Sequence, residues 1–376
     1  MAILPPDPTY MLRGDMGTVH SLLFKVSPYI EYLYAGTESG DIRIWDMKKN
    51  RETSKLGMRK EACMSLIAPE EECLISQRKG GDVDIWRANG SNWTIDKTVD
   101  TSYCGFCRCQ LFGEDILLVP LPNSIVGGLS LKTLVIVYKL DWLSIDNTMA
   151  LGEVMVIKSI DTPENAYVLV SYESGHTALW DLRERTVVSW LKIDECPMAV
   201  NFDNYWMKGV IGSPADKLEI FEISKSHVLS SKTSVPLKNP GTSVIASRPA
   251  SKVLAVGGWD GRLRIFSWKT LRPLVVLDRH KGTIHDIAYS TGKVDAYNSK
   301  GLMAAAGKDG SSVLSGTRLR FLIGLALLLV FIGTGDELSS SIVEPLALEE
   351  LATGDSRDED RLRFVATTGV GDITVC

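Results

Sequence analysis

Short runs of alternating apolar and polar residues, broken by glycine and aspartate turns, fill most of this chain. In residues 41–46, Ile42 and Ile44 fall on one face and Arg43 and Trp45 on the other, the period of two that a β-strand requires. Residues 18–24 and 32–36 read as two strands before it. Gly40, at the turn, supplies positive φ without a Cβ penalty, so a hairpin closes in few residues. The phrase Gly-Asp-Ile-Arg-Ile-Trp-Asp at 40–46 returns, degraded, at 81–86, 175–181, 216–221 and 261–266. Taken over Trp45, Trp86, Tyr138, Trp180, Phe221 and Phe266, the aromatic strand ends stand 41, 52, 42, 41 and 45 residues apart.

A repeat of this length marks stacked, equivalent units, and the spacing is that of WD-repeat propeller blades. The chain is therefore expected to be all-β, a seven-bladed WD-repeat propeller over residues 1–316 with an atypical tail at 317–376. After the first unit, blades fall at 62–88, 104–140 (degenerate), 154–182, 197–223 and 241–268, with the last beginning at Thr283. Residues 9–13 are expected to seal the ring as the outer strand of the last blade, because closure leaves only short edges. Trp45, Trp86, Trp180, Phe221 and Phe266 are expected to pack between blades, with Asp46 and Asp181 ending their strands. The His–Asp–Trp hydrogen-bonded group of strong WD blades is mostly missing. Asp15 stands where the first blade would have its His, and Ser39, Gly80 and Ser174 occupy turn-Asp positions. Asp260, and His280 with Asp309, keep pieces of it. Several blades should then rely on apolar packing, the third being the softest.

Composition adds limits. Net charge is −5, but residues 336–376 hold ten Asp or Glu against three Arg, a net of −7, which leaves the rest near +2. No basic stripe invites nucleic acid. Seven cysteines without an apolar leader point to a reducing, intracellular compartment. Residues 321–333 form an apolar run of 13, short of the 18–20 or so that a membrane-spanning helix needs, so membrane association is not expected. The acidic stretch after it reads as disorder.

Candidate chemistry is thin. Cys104, Cys107 and Cys109 lack a second ligand pair at zinc spacing and fall on an expected first strand, so they read as buried structural thiols. His20, His176, His227, His280 and His285 are scattered, and no nucleophile elbow or phosphate loop occurs. Neither catalysis nor a cofactor or metal is expected. A binding surface is the remaining role. The residues before the turn-Asp positions, Glu38, Lys79, Glu173, Trp259 and Lys308, should point to the narrow face, with Trp259 as a candidate hot spot unless it folds onto its own blade.

More specific phrases lie at 5–14 (Pro-Pro-Asp-Pro, then Tyr-Met-Leu-Arg-Gly), 104–108 (Cys-Gly-Phe-Cys-Arg), 239–241 with Arg248-Pro249, and the run Gly-Trp-Asp-Gly-Arg-Leu-Arg-Ile-Phe-Ser-Trp-Lys-Thr-Leu-Arg-Pro-Leu at 258–274. Together these resemble the G-protein β-subunit-like protein 1 family, related to ASTRA-associated protein 1, over about residues 5–310. The resemblance implies a propeller without enzymatic activity, an adaptor acting with the Triple-T co-chaperone complex in the maturation and stability of phosphatidylinositol-3-kinase-related kinases, and so in DNA-damage signalling. A G-protein γ subunit is not an expected partner, since only about 17 residues, rich in Pro and Gly, precede the first strand. Two rivals use the same fold: a ubiquitin-ligase substrate receptor or histone-peptide reader, and a propeller hydrolase, for which convergent carboxylates or histidines are lacking. The chain departs from the family near Ser311, where Ser315 stands in place of the last aromatic, and an alternative or mis-joined C-terminus is expected from there.

Overall fold

The computed structural model describes residues 10–308, apart from 13–15, 58, 59, 91, 147, 163, 164 and 249–251, together with 365–367 and 373–375. Six four-stranded antiparallel sheets follow one another, at residues 19–56, 63–100, 110–140, 154–192, 199–236 and 242–277. Among the described residues there is no α-helix, only a single 3-10 turn at Asp295–Tyr297. The strands of each sheet lie in chain order, so every connection is a local turn. Burial follows from the stacking of sheets. Cys73–Arg78 and Val253–Gly258, second strands in their sheets, are buried at every position because a neighbouring sheet covers each face. The outermost strands, such as Arg51–Leu56 and Thr186–Lys192, alternate between exposed and half-buried apart from the buried Leu56 and Leu191.

The repeat aromatics occupy the seams between sheets. Trp86 lies between the first and second sheets, Trp180 between the third and fourth, Phe221 between the fourth and fifth, and Phe266 between the fifth and sixth. Trp45 packs with Val294, Leu302, Ala304 and Ala306, where the two ends of the ring meet. At each of these five aromatics the ladder to the outer strand slips by one residue, between Ile44 and Trp45, Ile85 and Trp86, Leu179 and Trp180, Ile220 and Phe221, and Ile265 and Phe266. A bulge bends the strand and re-aims its side chain. Here it accompanies each large ring on the third strand.

The third sheet departs from the expected register. Tyr138 was expected to end a third strand, but it lies in the outer strand Ile136–Leu140. The third strand is Ile125–Ser130, with its slip between Gly128 and Leu129. Tyr138 pairs with Gly128 and lays its ring where a Cβ of that glycine would be, so the aromatic comes from the adjacent strand. The longer interval therefore falls after this blade, in residues 141–153, from which Trp142 and Leu151 fold back into the seam. A related fit holds in the fifth sheet, where Gly209 faces Phe221 and an added Cβ would overlap the ring. Gly209→Ala should lower stability by about 1–3 kcal/mol through overpacking, read as a shift of the urea midpoint at unchanged slope.

The count of seven blades is corrected to six. At the seventh place Ile284–Tyr289 and Met303–Gly307 form a two-stranded sheet, with the small hairpin Lys293–Val294 and Ser299–Lys300 between them. Its outer half would need strand-forming residues after Lys308, and residues 309–364 lie outside the described ones. The pair still closes the ring, because Ile284–Tyr289 packs between Thr242–Ser247 on one side and Val19–Val26 on the other. Thr9 and Arg13 of the expected sealing strand fall outside the described residues. Of the residues between them, Met11 packs on the Ile284 and Met303 side of the sheet and Leu12 on the Ala304 and Ala306 side, and none of the three is in a ladder. The tail run 321–333 is likewise outside. Within the acidic stretch expected to be disordered, Val365–Thr367 pairs with Ile373–Val375.

Candidate functional site at the axis of the ring

The first strand of every sheet has one neighbour in its own sheet, which leaves backbone groups on its inner edge to be satisfied elsewhere. Polar side chains do this between sheets. Ser21 donates to the Cys63 carbonyl at 2.8 Å, Tyr103 to the Val154 carbonyl at 2.5 Å, and Asn201 to the Ile245 carbonyl at 3.2 Å. The Ser243 hydroxyl donates to the Ile284 carbonyl. Gln77 both donates to the Cys107 carbonyl, at 2.9 Å, and accepts from the Cys109 N–H, at 2.8 Å. The seam between the last sheet and the first is closed by Asp286, whose Oδ2 accepts the Leu22 N–H at 2.6 Å.

Arg108 completes this belt by crossing the axis from the third sheet. Its Nη1 donates to Asp286 Oδ1 at 2.6 Å, and its Nη2 donates to the carbonyls of His20 and His285, both at 2.7 Å. It can do so because residues 101–109 are not the strand expected there; the first strand of that sheet is only Gln110–Phe112. The irregular segment carries Phe106, 57 % exposed, under the Lys79 ammonium, whose Nζ lies 5.2 Å from the ring centre. Cys107 and Cys109 are buried, which pushes both thiols well up, whereas Cys104 is exposed, so the buried-thiol reading is corrected for that residue. Among the described residues no group of three or more His, Cys, Asp or Glu could hold a metal ion.

Above Arg108, the rings of His20 and His285 meet with centroids 4.5 Å apart. Burial lowers both imidazoles, and with the further effect of His20 and Arg108 that of His285 falls to about 4. Three of the five expected surface residues gather here. Glu38 acts on both histidines, Lys79 on His20 and Lys308 on His285, and all three are exposed. Glu173 is apart from them, its Oε2 accepting the Glu153 N–H at 3.3 Å. Trp259 is 43 % exposed, its ring resting on Gly241 where that residue takes φ of 90°. The indole thus folds onto its own blade, the alternative set against a hot spot, and stays partly exposed.

The repeat residues keep structural duties. The Asp46 and Asp181 carboxylates accept the N–H groups of the two residues at 48–49 and at 183–184, closing the turns to the outer strands. Asp260 is held below its usual range: burial opposes this, and hydrogen bonds from Arg264 and Asn239 outweigh it. His280 is buried against Gly261, and Asp309 lies outside the described residues. Sequence reading passed over Arg108 and Asp286. The signal was the Asp286 carboxylate on the strand Ile284–Tyr289, flanked by Ile284, Ile287 and Ala288, which demands a buried partner.

The histidine pair gives a pH prediction. Each folded-state pKa lies below its unfolded value, so the unfolded chain binds more protons and stability falls as pH drops. The window runs from about 6.5 down to about 4, set by His285. Urea midpoints should decline across it, and a His20→Gln, His285→Gln double variant should flatten the decline. An equally steep decline in the double variant would place the effect elsewhere.

An all-β ring of antiparallel sheets, with aromatics at third-strand bulges and turns on a common face, is a WD-type β-propeller. No family model matches the chain. It is similar to guanine nucleotide-binding protein subunit beta-like protein 1 of Mus musculus, at 28 % identity over 317 residues, covering 81 % of this chain and 94 % of that protein. It is also similar to proteins named ASTRA-associated protein 1. The Aspergillus flavus protein is 22 % identical over 386 aligned residues, 82 % of this chain and 89 % of its own length. The Schizosaccharomyces pombe protein is 23 % identical over 360, 76 % and 94 % respectively.

Proposed function

We propose that the protein is a non-enzymatic WD-repeat scaffold that joins other proteins in an ASTRA-type assembly. One observation carries this: relatives named for that association align along 76–82 % of the chain, far more than a single blade. The architecture supports it. A ring tied at its axis holds several turns at fixed separations, which preorganises a surface for more than one partner. The finer reading follows from the resemblance: action with Triple-T co-chaperones on phosphatidylinositol-3-kinase-related kinases in DNA-damage signalling, in cytoplasm and nucleus. Affinity purification of the full chain from cells, followed by mass spectrometry, tests it. Recovery of those co-chaperones and kinases is expected. Recovery of cullin-ligase components or histones in their place would overturn it in favour of the receptor or reader.

A further inference from the structure

We propose that the mouth of the ring captures carboxylate side chains from an acidic peptide segment of a partner protein, with Arg108 as its floor and Lys79, Lys308 and Phe106 around it. The inference rests on the scaffold reading and names a docking face and the chemistry it takes.

Asp286 is not an open charge in this mouth, since both its oxygens are committed inside the ring, to Arg108 and to Leu22. Arg108 is not spent by that pairing. A guanidinium carries five N–H donors, and the three hydrogen bonds above leave its Nε–H and one Nη1–H uncommitted on a side chain 32 % exposed. Among the described residues, neither Lys79 nor Lys308 has a carboxylate within ion-pair distance, and Glu38 is the carboxylate that acts on both histidines. The mouth thus presents the Lys79 and Lys308 ammonium groups and the free Arg108 N–H groups, with Glu38 and, beside Gly80, Glu61 as its open carboxylates. The tilted, closely packed imidazoles of His20 and His285 line it, and the exposed Phe106 ring gives it an apolar step. Positive charge beside an aromatic surface suits a peptide better than a small inorganic anion, which would leave Phe106 uncovered. Arg108 also favours carboxylates, because its planar fork matches them geometrically.

The test uses the full chain and a fluorescein-labelled dodecapeptide rich in Glu and Asp, set against the same peptide with Gln and Asn, by fluorescence anisotropy. The acidic peptide is expected to bind, and to bind more weakly as salt rises. The Lys79→Glu, Lys308→Glu double variant should weaken it at least tenfold, and Phe106→Ala severalfold. All three residues are exposed, so melting temperatures should stay close to wild type and separate loss of binding from loss of fold. Equal binding of the amide peptide, or insensitivity to the double variant, would overturn the proposal. A second arm replaces the ten Asp and Glu of residues 336–376 by amides. If the peptide binds only that variant, the occupant is the chain's own tail and the partner proposal is wrong. Purification from cells separates this inference from the one beneath it. Wild type and the double variant recovering the same partners would sink the mouth and leave the scaffold standing, whereas a wild type that recovers none would sink the scaffold.

Discussion

Asp286→Ala is expected to destabilise the ring by about 2–4 kcal/mol, the sum of an unsatisfied buried N–H at Leu22 and a guanidinium left without its charge partner. The carboxylate is 7 % exposed and holds the last sheet against the first, where only two strands stand at the seventh place. Asp286→Asn retains an acceptor for Leu22 and should cost less. Arg108→Met should be comparably costly, because it strands the buried Asp286 carboxylate and leaves the His20 and His285 carbonyls without their donor. Both variants should therefore fall below Asp286→Asn in urea midpoint, and all three below wild type. If Asp286→Ala melted like wild type, the seam would be held by Trp45 and its alanine neighbours alone.

Trp180→Ala should be comparably severe, about 3–5 kcal/mol. This indole is fully buried between the third and fourth sheets, and its Nε1–H donates to the Tyr172 hydroxyl at 3.3 Å. Removing it leaves Tyr172 and Trp142 facing a void that the strands cannot close without giving up their ladders. Trp190 is a sharp control. It contacts the same Trp142 but is 45 % exposed on an outer strand, and its truncation should cost under about 1.5 kcal/mol. Tyr172→Phe isolates the hydrogen bond, worth about 1 kcal/mol. Similar losses for Trp180→Ala and Trp190→Ala would mean that the seam can repack, and the repeat aromatics would be less decisive than their positions suggest.

These two cases show what could be read from the chain. Trp180 was legible because alternation along a strand, a glycine at the turn and an aromatic near its end are all local signals within a dozen residues. The six sheets emerge from that pattern. Tyr138 misled because the pattern records that an aromatic is present, not which strand brings it. Gly128, lacking a side chain, lets the outer strand fill the space that a third-strand ring fills elsewhere. The seventh place fell short of expectation because the pattern counts starts of blades, and this one has its first two strands and an excursion between them. The pairing of Arg108 with Asp286 was unreadable for another reason. The two lie 178 positions apart, and nothing in either neighbourhood announces the other. Of the surface residues, Glu38, Lys79 and Lys308 converge because equivalent turns come round to a common mouth, whereas Glu173 shares the turn position but not the neighbourhood.

The belt around the axis has one property that bears on how such a chain can change over generations. Its donors are particular side chains, yet most of its acceptors are main-chain carbonyls, at His20, Cys63, Cys107, Val154, Ile245, Ile284 and His285. A carbonyl is present whatever residue carries it. Each tie therefore constrains one identity rather than two, and substitutions at the accepting positions leave the hoop intact as long as the strand path holds. Rings fastened this way can diverge to a quarter of shared identity, lose the hydrogen-bonded groups that usually advertise their blades, and still close.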